Sequence, residues 1–118
     1  MKTNTKQLIV SNELTASVVG SGLLPVFSTP SMIAFMENTA MELIALEPNE
    51  SSVGTCINAQ HLKASAVGET LQCSATLVNN EGRKYSFEII VENQKNEIVG
   101  KATHDRFVVD IERFMSKI

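Results

Sequence analysis

Glu37 stands out for the company it keeps. The segment Met32-Ile33-Ala34-Phe35-Met36-Glu37-Asn38-Thr39-Ala40-Met41 reads as helix. At 100° per residue, Glu37 falls near the middle of an apolar face, one turn after Ile33 and Ala34 and one turn before Ala40 and Met41. A carboxylate there is costly unless it is paired, hydrogen-bonded or protonated, and such placement is a flag for function. The alternative is that Glu37 caps backbone groups or reaches water past short neighbours.

Three further residues carry chemical potential. Thr29 precedes Pro30 and reads as a helix N-cap, with Pro30 at the first helical position, where its missing N–H costs nothing. The same hydroxyl sits where the helix N-terminus favours developing negative charge. His61 closes a strand whose period-two face carries Val53, Thr55, Ile57 and Ala59, a setting for either a structural imidazole or a catalytic one. His104 lies in the polar run His104-Asp105-Arg106. Two histidines without HxH or HxxxH spacing and without clustered cysteines form no metal site. Cys56 and Cys73 lack CxxC spacing and read as two free, small buried hydrophobes in a reducing compartment. No glycine-rich phosphate loop and no GxSxG elbow occurs. Thr29 and Glu37, eight residues apart on one helix, stand roughly 12 Å apart along its axis and cannot touch. A site using both must span them with its ligand or draw on a second helix.

The elements that position these residues follow from the apolar periods. A strand is expected over residues 13–20, an irregular stretch through Phe27, and a helix over 30–46 that ends before Pro48. Four strand patterns follow, over 52–63, 70–78, 84–92 and 98–111, with a short helical tail over 112–117. Leu71, Cys73, Ala75 and Leu77 alternate along one face, as do Tyr85, Phe87, Ile89 and Val91. The short polar connections around Asn80-Glu81-Gly82 and Asn93-Gln94-Lys95-Asn96 suit antiparallel hairpins. Asn38, Thr39 and Glu42 make the narrow polar sector of the helix, so most of it should be wrapped by sheet. The expected class is α+β, an antiparallel sheet on one long helix.

The bulk properties agree with an enzyme-sized soluble domain. The 118 residues are 43% hydrophobic and 19% charged, with a net charge of -3. That length suits one domain spanning 1–118 with its own core. The acidic balance and the absence of a basic cluster denser than Arg83-Lys84 argue against a nucleic-acid partner. No apolar run approaches the roughly 20 residues of a membrane span, and Leu8-Ile9-Val10 is too short for a secretory core, so a cytoplasmic location is expected.

The sequence resembles the hotdog-fold thioesterases, and within them the fluoroacetyl-CoA thioesterase-like group. The matching segments are Val26-Phe27-Ser28-Thr29-Pro30 leading to Met36-Glu37, Ser52-Val53-Gly54-Thr55 running to His61, Glu81-Gly82-Arg83-Lys84, and Thr103-His104-Asp105-Arg106-Phe107-Val108. The resemblance implies a sheet wrapped around a central helix, pairing of subunits into a homodimer or a higher oligomer, and a site at their interface. It implies catalytic roles for Thr29, Glu37 and His61, substrate contacts at Gly54 and Arg106, and no cofactor or metal. The implied activity is hydrolysis of a short-chain acyl-CoA. The alternatives are a non-catalytic acyl-CoA-binding protein and a hotdog hydratase or dehydratase.

Overall fold

The computed structural model describes residues 2–118 and orders them as strand β1 (Thr3–Ile9), a 3-10 turn (Asn12–Leu14), a one-turn helix α1 (Ala16–Val19), the long helix α2 (Thr29–Met41), strands β2 (Glu50–His61), β3 (Thr70–Glu81), β4 (Lys84–Glu92) and β5 (Ile98–Asp110), and a short helix α3 (Ile111–Met115). The five strands form one antiparallel sheet in the order β1-β3-β4-β5-β2. This is the architecture expected from the alternating strands and the single long helix. β2, twelve residues long, is an edge strand with one row of backbone groups left unpaired by the sheet.

The first strand lies earlier in the chain than its β-branched residues indicate. Residues 13–20, with Thr15, Val18 and Val19, form helical turns instead of a strand, ended by Gly20 at φ +92. The true β1 pairs with β3 from Thr3↔Thr76 to Ile9↔Thr70. It has no fully buried residue, so its apolar alternation is faint. Lys6 and Asn4 of β1 reach Asn38 on α2 and Glu42 at its C-cap, tying the helix to that side of the sheet.

Helix α2 is packed along a stripe of Met32, Phe35, Met36, Thr39 and Ala40, all buried. These side chains meet Leu71, Cys73 and Ala75 of β3, Phe87, Ile89 and Val91 of β4, and Val99 and Ala102 of β5 in one core. Thr39, expected on the polar sector, is fully buried because its hydroxyl donates to the Phe35 carbonyl 2.8 Å away, within its own helix. The helix stops at Met41 instead of Leu46. Beyond it the chain tightens into three-residue turns, with the Leu43 and Ile44 amides bonded to the carbonyls of Ala40 and Met41, and this carries Ile44 into the core. Ala34 and Met41 are exposed, so the sheet of one chain wraps only one side of this apolar helix.

Candidate active site

The helix start differs by one residue from the expected one, and the difference matters. Ser28, not Thr29, is the N-cap: its side-chain oxygen accepts from the Ser31 amide at 3.1 Å, with Pro30 in the first turn. The Thr29 hydroxyl is thereby free of capping duty. It lies 2.8 Å from Nδ1 of His61, the last residue of β2. Phe27 stands edge-on to the imidazole, with ring centroids 6.2 Å apart. Burial lowers the His61 pKa from its ordinary 6.5, with the Lys63 backbone opposing in part. Nε2 is buried without a hydrogen-bond partner, whereas Nδ1 meets the Thr29 hydroxyl at an exposed position. Thr29 and His61 line an open cleft of about 320 Å³ bordered by Val26, Phe27, Leu62 and Lys63.

A second cluster forms around Glu37. Its Oε2 lies 3.6 Å from Arg106 Nη1 and 3.8 Å from His104 Nε2. Glu37 is not sunk in the middle of an apolar face. The packed stripe runs one position to the side, and the Glu37 side chain is 37% exposed, at the margin between helix and sheet. Its partner Arg106 is buried and fully engaged: Nε donates to Ser52 Oγ and Nη2 to the Ser52 carbonyl, both at 2.9 Å. Burial draws the guanidinium below its usual range, and the Glu37 charge counters that pull.

Gly54 belongs to this cluster because of an irregularity in β2. The β2–β5 register passes from Gly54↔Arg106 to Cys56↔Asp105, so Thr55 is an extra, bulged residue. Strict alternation places Val53 and Thr55 on the face of His61. The bulge instead puts Ser52 and Gly54 there, opposite Val108 and Arg106, while Ile57, Ala59 and His61 face Arg106's neighbours His104, Ala102 and Gly100. Gly54 and His61, an odd number of residues apart, share the inner face only because of this bulge. A Cβ on Gly54 would fall 2.5 Å from Glu37 Oε2 and 3.3 Å from His104 Cε1. Glycine is what lets the carboxylate lie against the strand.

All five residues expected at a site thus take part in one of two groups, Thr29 with His61 and Gly54 with Glu37 and Arg106. No hydrogen bond or ion pair joins the two groups within the chain. They sit roughly 20 Å apart along β2 and about 12 Å apart along α2. The sequence reading missed the part His104 takes. The period-two set Ala102, His104, Arg106 and Val108, buried against an outer set of Lys101, Thr103, Asp105 and Phe107, was the available signal. The cysteines divide: Cys73 is buried, with its thiol pushed up to about 11 by desolvation, whereas Cys56 is exposed on the edge strand and not the buried hydrophobe expected.

Comparison with known proteins gives these groups a context. The family described as FlK: Fluoroacetyl-CoA-specific thioesterase matches residues 10–112. A fluoroacetyl-CoA thioesterase from Streptantibioticus cattleyicolor is 37% identical over 95 residues, covering 79% of this chain and 68% of that protein. A crystal structure of the fluoroacetyl-CoA thioesterase FlK superposes with a TM-score of 0.93 at 28% identity, over 98% of this chain and 91% of the other. A thioesterase superfamily member from Thermus thermophilus shares the fold at 20% identity, with a TM-score of 0.90 over 98% of this chain and 87% of the other.

Proposed function

Since this chain belongs to the fluoroacetyl-CoA-specific thioesterase family, and is a thioester hydrolase, we propose that it releases CoA from a short-chain acyl-CoA at a site shared by two subunits. The observation that carries this reading is the division of the catalytic groups. One chain holds Thr29–His61 at one end of β2 and Glu37–Arg106–Gly54 part-way along the same strand. Antiparallel pairing of two β2 edges about a two-fold axis sets the His61 end of one strand beside the Gly54 region of the other. The unpaired β2 edge and the exposed Ala34 and Met41 on α2 support that pairing.

The chemistry follows from the residue types. The Glu37 carboxylate, its charge balanced by Arg106, attacks the thioester carbonyl or takes a proton from the attacking water. His61 works through Nδ1, the nitrogen at the Thr29 hydroxyl. With the ring proton on the buried Nε2, Nδ1 accepts from the Thr29 hydroxyl and fixes it at the cleft; the CoA sulfur leaves as the thiolate and takes up the proton that is released from the attacking water through Glu37. Gly54, with no side chain, leaves the acyl carbonyl room to approach the backbone and the carboxylate. No cofactor enters this scheme. The setting is a cytoplasm in which Cys56 and Cys73 stay reduced.

CoA release measured across a panel of acyl-CoAs tests the reading. Glu37→Gln and His61→Ala should each lower kcat by roughly 10²-fold or more. Wild-type rates in both variants overturn the assignment.

A further inference from the structure

We propose that His104 is a positioning residue, which aims Arg106 at Glu37 by accepting a hydrogen bond on Nε2. The inference rests on the functional reading above in one respect, that Glu37 and Arg106 serve the reaction.

The hydrogen-bond pattern fixes the tautomer. His104 Nδ1 lies 2.7 Å from the carbonyl oxygen of Cys56, a group that can only accept, so Nδ1 carries the proton. Nε2 lies 3.3 Å from Arg106 Nη1, a group that can only donate, so Nε2 presents its lone pair. The neutral imidazole is therefore a relay from the backbone of one strand to the guanidinium of the next. It is 1% exposed, and the Phe87 ring, 6.1 Å away between centroids and tilted 30° to it, holds its plane.

Arg106 shows why that acceptor matters. Its Nε and Nη2 are turned toward Ser52, whose hydroxyl and carbonyl accept them. Nη1 has two hydrogens: one meets His104 Nε2, and the planar fork then directs the other toward Glu37 Oε2, 3.6 Å away. Without an acceptor at Nε2, the buried guanidinium has one donor unsatisfied and must turn to find another partner. The partner within reach is the Glu37 carboxylate, so loss of His104 redirects Arg106 and shifts the carboxylate with it. The Thr55 bulge contributes as well, because it brings the Cys56 carbonyl to His104 while Gly54 keeps the space beside Glu37 open.

Side chains with and without an acceptor at the Nε2 position separate positioning from mere filling of the core. His104→Gln places an amide oxygen there. His104→Met fills the volume with no comparable acceptor, and His104→Asn keeps a donor for the Cys56 carbonyl but falls short of Arg106. Steady-state hydrolysis of acetyl-CoA is measured for each variant that folds by circular dichroism, beside Glu37→Gln. The expected result is a kcat for His104→Gln at least tenfold above that of His104→Met or His104→Asn, with KM little changed, and no such difference when the same substitutions are made in an Arg106→Lys background. Equal kcat for His104→Gln and either of the others, or a Gln advantage that persists in Arg106→Lys, overturns the role of His104. Full activity in Glu37→Gln overturns the functional reading instead, so the two failures are distinguishable.

Discussion

Gly54 and Glu37 are in such close apposition that the smallest side chain would separate them: a Cβ on the glycine would lie 2.5 Å from the carboxylate oxygen Oε2. The nearest obstacle is the far end of a flexible side chain, which can yield without disturbing the sheet, and the His104 ring, 3.3 Å away at Cε1, need give by only a few tenths of an ångström. Gly54→Ala should therefore fold with nearly unchanged stability and displace the carboxylate. A misplacement near 1 Å corresponds to a loss of about 10²-fold in kcat. Steady-state kinetics beside a urea titration checks it. Loss of stability in proportion to loss of activity would make Gly54 a packing residue.

The helix start separates capping from chemistry by one residue. Ser28 caps, and Thr29 meets His61. Ser28→Ala should cost about 1 kcal/mol of stability, read as a lower urea midpoint at constant slope. Thr29→Val should leave the midpoint close to wild type and lower kcat, with Thr29→Ser restoring most of it. The reverse pattern would return the cap to Thr29.

The pH dependence follows from His61. Burial depresses its folded pKa below 6.5, so the neutral imidazole is the form the fold favours. Its contribution to stability is present above the unfolded pKa and is lost as pH falls through the lower folded value. Proton NMR titration of the His61 ring should give a midpoint below 6.5 in the wild type, moving toward 6.5 on unfolding in urea. A folded midpoint above 6.5 contradicts the desolvated setting.

Much of this was legible in the chain. Lys84–Glu92 emerged with its true bounds because Tyr85, Phe87, Ile89 and Val91 alternate without interruption and Gly82, at φ +60, supplies the hairpin turn. Thr29, Glu37 and His61 were visible as residue types in unusual company. Three things were not. The strand Thr3–Ile9 hides because it buries no residue fully, while Thr15, Val18 and Val19 offer a stronger β signal in a segment that folds as helical turns. The Thr55 bulge has no period-two signature, and without it Gly54 and His61 fall on opposite faces. The helix period placed Glu37 among apolar neighbours but did not show that the sheet covers a stripe one position away, which leaves the carboxylate at the margin where Arg106 reaches it.

The central claim is that a working site joins Glu37 of one subunit to Thr29 and His61 of another. Complementation tests it most directly. Glu37→Gln and His61→Ala are each prepared as inactive homodimers, mixed, unfolded and refolded together, and assayed for CoA release from acetyl-CoA. In a mixed dimer one site receives both defects and the other receives none, so random reassortment should restore about a quarter of wild-type activity. Activity that stays at the level of the separate variants, with mixed dimers present by native mass spectrometry, would contradict a site shared between subunits.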